Sequence, residues 1–165
     1  MSSHIHKTAI IYPNVTIGEN VYIGPYCIIG APAESTSKHS AGVRIGNNVK
    51  IHGLVTIDAG TQEDTVIQDN CYLMKQTHVG HDAVLLERVY LSPGARVGGH
   101  CWLCQGVNMG MNATCHQMTV IPEWCMIGAN SFVNNKQELK PFGVYVGSPV
   151  RWIKENTYPI EKGLI

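Results

Sequence analysis

Charge is scarce in this sequence and evenly balanced. Lysine and arginine number 12 against 12 aspartates and glutamates, so the formal net charge is zero and charged residues make up 15% of the 165. That excludes the basic surface that non-specific nucleic-acid binding needs. No apolar run approaches the ~20 residues required to cross a bilayer, so no membrane span is expected. The first ten residues, MSSHIHKTAI, lack a charged stretch followed by an apolar one, the pattern of a secretory signal, and the expected compartment is the cytoplasm. What remains is 44% hydrophobic, enough for a substantial single-domain core, while 17 glycines and many short Asn-containing turns point away from a helical bundle.

The six cysteines (Cys27, Cys71, Cys101, Cys104, Cys115, Cys125) do not read as chemistry. The segment CWLC, residues 101–104, has redox-motif spacing, but such a motif needs a helix N-terminus to lower the thiol pKa, and none is expected there. A zinc site needs a second close pair, and Cys115 and Cys125 are too far apart to supply one. Buried free thiols are the expectation.

Periodicity carries the fold. Stepping by six from Ile67 reaches Leu73, Val79, Leu85, Leu91, Val97, Leu103, Met109, Cys115, Ile121, Ile127, Val133 and Leu139, and all thirteen positions are apolar. Ile5 to Ile29 and Ile45 to Ile57 keep the same step upstream, and four residues after each lead sits a small or β-branched residue such as Ala83, Val89 or Ala95. Six matches neither the helical period of 3.6 nor the strand period of 2. It marks a hexapeptide-repeat parallel β-helix, in which three units close one triangular coil of eighteen residues. Glycine and asparagine would then supply the turns.

Two breaks interrupt the register. GAPAESTSKHSAG between Ile29 and Val43 must loop outward over residues 31–42, and the step of ten between Ile57 and Ile67 inserts four residues around TQED. Excursions from a rigid scaffold are where function collects. The β-helix is expected to run over residues 1–140. Residues 141–165 then form a cap containing a short helix from about Val150 to Asn156.

A fixed coil length allows neighbours to be computed. With rungs ~4.8 Å apart, His81, Gly99 and Gln117 form one column, and Asp82 and His100 share the next. His116 lies beside Gln117, and His78 sits on the same coil as His81. Titratable groups scattered along the chain therefore converge on one edge, the strongest functional signal in the sequence.

The segments NVTIGENVYIGPYCIIGAP, THVGHDAVL, VGGH and CHQMTVIPEWCMIGAN resemble the hexapeptide-repeat acyltransferases, most closely the UDP-N-acetylglucosamine acyltransferases of lipid A synthesis, from about His4 to Val146. The resemblance implies a left-handed winding, against the usual right-handed crossover, and a homotrimer with active sites between adjacent chains. By the same resemblance His81 is the general base, Asp82 orients it or stabilises its cation, and the Gly99 N–H faces the developing oxyanion. His78, His100, His116 and Gln117 would contact the acceptor, and Lys38 a phosphate. Neither a metal nor a resident cofactor is implied. The donor would be acyl-CoA or acyl carrier protein, and the acceptor a sugar nucleotide or amino sugar.

The chain departs from that pattern in three places. Thr36 stands where the family loop carries an acid, the nearest being Glu34. The C-terminal helical domain of the lipid A enzymes does not fit within the length, and FGVYVGSPVRWIKEN is similar instead to the ending of CoA-dependent acetyltransferases. Two other readings share the fold. One is a γ-class carbonic anhydrase, whose last histidine has no counterpart here, since Ile121 and Gln105 stand where it would fall. The other is a non-catalytic trimeric scaffold.

Overall fold

A computed structural model of the chain describes residues 2–34 and 41–165. Its strands are mostly two or three residues long and form three sheets, the faces of a prism, of nine, seven and six strands, parallel throughout except for the last strand of the nine. Along the coil the chain visits the faces in turn, so each strand up to Phe132–Val133 pairs with the one three strands before or after it. This is the parallel β-helix expected from the period of six, wound left-handed as the resemblance implies. The register is the eighteen-residue step itself: Leu73 opposes Leu91, Val79 opposes Val97, and Leu85 opposes Leu103.

The lead aliphatics face inward and stack coil on coil. Leu73, Leu85, Leu91, Leu103, Met109, Ile121 and Ile127 have no accessible surface, and each such side chain contributes roughly 1.5–3 kcal/mol by leaving water. The small residues Ala83, Ala95 and Ala113 are equally buried near the corners. Of the six cysteines, five are buried and Cys104 is half-buried, and all are free.

The glycines after the lead residues have a different role from the one expected. Asparagine fills left-handed turn positions as expected, at Asn20, Asn48, Asn70, Asn112 and Asn130, and others are held by Gln76, Asp82, Arg88, His100 and Trp124 rather than by these glycines. Gly80 and Gly98 are needed for space. A Cβ on Gly80 would lie 2.8 Å from the Gly99 nitrogen, and one on Gly98 would lie 2.6 Å from the Gln117 nitrogen. Successive coils approach too closely there for any side chain.

Both excursions leave the same stretch of the prism. Ile28 opposes Thr56 and Thr56 opposes His78, steps of 28 and 22 residues where an uninterrupted coil takes 18. Gly42, at the end of the first excursion, is tied to the second. Gly42 N–H donates to Asp64 Oδ1 at 2.7 Å, and the Gly42 carbonyl accepts from the N–H groups of Gly60 and Thr65.

The C-terminal segment corrects one expectation. Residues 150–156 are not helical: Val150–Glu155 is a strand pairing antiparallel with Gly143–Gly147, which itself extends the coil by pairing parallel with Met126–Ile127. The helix comes later, at Tyr158–Glu161. The reason is physical. Val150, Trp152 and Ile153 favour extended backbone, and the edge of Gly143–Gly147 offers unpaired main-chain groups that a helix would leave bare. Tyr145 and Val150 close the end of the core, and Tyr145 Oη accepts from the Lys140 N–H at 2.7 Å. Among the described residues no helix is long and apolar enough to cross a membrane.

Candidate active site

Asp82 anchors the site. It occupies a turn position with φ 57°, which aspartate tolerates better than most residues, and its side chain is only 3% exposed. A buried carboxylate needs compensating donors, and five surround it. Oδ1 accepts from the N–H groups of Gln62 and Glu63, both at 2.8 Å. Oδ2 accepts from the Thr61 N–H at 3.0 Å, the Thr61 hydroxyl at 2.8 Å and the His81 ring at 2.7 Å. Burial by itself would raise the Asp82 pKa. The Glu63 and Thr61 N–H groups, the His81 ring and the Gln62 N–H outweigh it and hold the carboxyl well below the usual carboxylate range. Asp82 is therefore a fixed anion.

That anion orients His81. With Nδ1 bonded to Asp82, His81 carries its neutral-state proton on Nδ1 and presents the Nε2 lone pair outward. The outward neighbour is Gly99, where a Cβ would stand 2.7 Å from Nε2 and 2.9 Å from Cε1. Only glycine leaves the base unobstructed. Among the described residues the Gly99 N–H forms no hydrogen bond, so it is free to donate to a ligand. We expect Gly99→Ala to push the imidazole out of line and lower kcat roughly tenfold or more. The melting temperature should be nearly unchanged, since the methyl meets the far end of the His81 side chain rather than backbone. Steady-state kinetics beside a melt would check this.

The computed column places His100 as anticipated. Its ring packs edge-on to His81 with centroids 5.0 Å apart, and its Nε2 stands 3.7 Å from Asp82 Oδ2. His78 lies on the same side, its Nδ1 bonded to Thr56 Oγ1 at 2.8 Å and its Nε2 3.8 Å from Asp58. His78, His81, Gly80 and Gly99 line a groove of about 470 Å³ together with Thr56, Asp58 and the start of the first excursion at Ala31, Pro32 and Glu34.

Two expected members stand apart. The exposed His116 ring bonds the Gln117 carbonyl at 3.0 Å and packs edge-on against Phe132, so it does not line the groove. Gln117 is also exposed and outside the lining. Lys38 lies outside the described residues. The residues that the sequence did not single out are Thr61, Gln62, Glu63 and Thr65, the last accepting the Asp82 N–H at 3.0 Å. Three of these act through backbone N–H groups, which leave no trace in residue type.

His81, Asp82 and His100 offer ligand atoms within 4.8 Å of one another. As a metal site this set fits poorly. Asp82 Oδ2 already accepts three hydrogen bonds, and the His81 nitrogen nearest it is the one that carries the proton. His116, the third imidazole of a three-histidine site, is not in the cluster.

The bacterial transferase hexapeptide model (six repeats) matches residues 2–34. The acyl-[acyl-carrier-protein]–UDP-N-acetylglucosamine O-acyltransferase of Nautilia profundicola is 33% identical over 138 residues, covering 81% of this chain and 52% of the relative. Its namesake from Campylobacter concisus is 29% identical over 162 residues, covering 87% and 61%. This chain resembles the UDP-N-acetylglucosamine acyltransferases. It spans about half the length of the curated relatives it matches. Among solved structures, the UDP-N-acetylglucosamine acyltransferase from Campylobacter jejuni superposes with a TM-score of 0.81 at 25% identity, covering 98% of this chain and 76% of that one. A perosamine N-acetyltransferase from Caulobacter crescentus, solved with CoA and GDP-perosamine, shares the fold at a TM-score of 0.57 and 18% identity, covering 94% and 58%.

Proposed function

We propose that this protein is an acyltransferase. It moves an acyl group from a thioester, acyl-CoA or acyl carrier protein, to a hydroxyl or amine of a sugar nucleotide or amino sugar. The observation that carries this reading is the His81–Asp82 dyad, its Nε2 aimed past Gly99 into the groove.

The reaction is a direct transfer. His81 Nε2 takes the proton of the acceptor group as its oxygen or nitrogen attacks the thioester carbonyl carbon. The carbonyl oxygen gains negative charge and is met by the Gly99 N–H. The carbon–sulfur bond then breaks, and the imidazolium returns its proton to the leaving thiolate. Asp82 stabilises the imidazolium without taking its proton, because five donors hold it ionised. No acyl-enzyme is invoked, since among the described residues no cysteine or serine side chain is bonded to these imidazoles. His78 and His100 flank the acceptor, and Lys38, His116 and Gln117 are assigned to its more distant parts. The last two reach it in a homotrimer whose sites lie between adjacent chains.

The test is thermal stabilisation by acyl-CoAs of increasing length, acyl carrier protein, UDP-N-acetylglucosamine, other sugar nucleotides and zinc with a chelator control. A rise in Tm with a donor or acceptor, lost in His100→Ala, is expected. Silence from all donors and acceptors would leave a non-catalytic scaffold. Destabilisation by the chelator would turn the assignment toward a metal enzyme.

A further inference from the structure

We infer that Thr61 is a positioning residue, and that the four-residue insertion carrying it exists to lock the base in its working tautomer. The inference rests on the reading of His81 as the base.

The insertion is built around the carboxylate. Thr61, Gln62 and Glu63 present consecutive N–H groups to both Asp82 oxygens, and the Thr61 side chain adds a fourth donor. A Cβ at Gly60 would run into the Glu63 carbonyl, so the chain reverses there only because the residue is glycine. The far side of the insertion is fastened to the prism through Asp64, which binds the Gly42 N–H and the Arg44 guanidinium, the latter at 2.8 Å. Thr65, wholly buried, holds the Asp82 backbone. Donors from a segment about twenty residues away in sequence thus fix one side chain from every side but that of His81.

The Thr61 hydroxyl decides which imidazole pairs with Oδ2. Oδ2 is shared: His81 Nδ1 stands 2.7 Å away and His100 Nε2 3.7 Å away. The hydroxyl and N–H of Thr61 hold Oδ2 on the His81 side. Without the hydroxyl Oδ2 keeps only the Thr61 N–H on that side, so the carboxylate turns more readily toward His100 and His81 Nδ1 loses the fixed position of its acceptor. Its neutral ring then samples the tautomer with the proton on Nε2, which cannot take a proton from the acceptor.

Thr61→Val removes the hydroxyl at nearly constant volume, and Thr61→Ser restores it; Thr61→Ala serves if valine is not accommodated. The ring ¹⁵N shifts of His81, followed by NMR, report the tautomer independently of activity. In the wild type and Thr61→Ser, His81 should hold its proton on Nδ1. In Thr61→Val a substantial Nε2–H population should appear, kcat should fall roughly tenfold, and KM should stay within twofold of wild type. An unchanged tautomer in Thr61→Val overturns the inference whatever the activity does. Were His81→Ala fully active, the function reading would fall instead, and the NMR comparison would still decide whether Thr61 fixes the ring.

Discussion

His81→Ala should lower kcat by about 100-fold or more while leaving the fold intact. The side chain is 21% exposed and bonded only through Nδ1, so its removal opens no core cavity. The Asp82 carboxylate keeps four of its five donors, all from the 61–63 segment, and the coil register is set elsewhere by the stacked aliphatics. What disappears is the one nitrogen that faces Gly99 with a free lone pair. A circular dichroism melt within a few degrees of wild type, beside the kinetic loss, would separate chemistry from stability. Near-normal kcat in this variant would remove His81 from the mechanism.

Asp82→Asn should damage both activity and stability. The carboxylate accepts through two oxygens, and an amide has only one. If Oδ1 remains an oxygen, the new NH₂ faces the N–H and O–H of Thr61. If the amide flips, it faces the N–H groups of Gln62 and Glu63. Either way buried donors are left unpaired, at about 1–3 kcal/mol each. In the first orientation the amide also donates to His81 Nδ1 and selects the wrong tautomer, so kcat should fall by ~100-fold or more. The melting temperature should drop by several degrees.

The same residue sets a pH dependence whose sign is fixed. Its pKa is depressed in the folded state, so the stabilisation is fully present above the ordinary carboxylate range, about pH 4. It declines as pH falls from there toward the lower folded value. Melts from pH 6 downward should show the gap between wild type and Asp82→Asn constant above pH 5 and closing below pH 4. A gap that widened on acidification would contradict the assignment.

How much of this was legible in the sequence follows from what each residue contributes. The prism was legible because its core is made by side chains at a fixed step, from Ile67 to Leu139. The same arithmetic brought His100 to Asp82, and His81 to Gly99, across eighteen residues. Direction was not legible: the column that includes Gln117 is real in register, yet the His116 ring turns toward Phe132 and away from the groove. The cradle around Asp82 was hidden because its donors are main-chain N–H groups, and TQED reads as a polar loop whatever its backbone does. VRWIKE was misjudged for a related reason. Its pattern is short enough to suit helix or strand, and the deciding partner, the open edge of Gly143–Gly147, is visible only once the coil is built.

The most direct test of the central claim is product formation by the purified protein. Wild type would be incubated with an acyl thioester and a panel of sugar nucleotides and amino sugars, with thiol release and the acceptor's mass followed together. The account predicts an acceptor heavier by one acyl group, released thiol in equal amount, and loss of both signals in His81→Ala. Thiol release without an acylated acceptor, or no reaction across the panel by a folded protein, would contradict it.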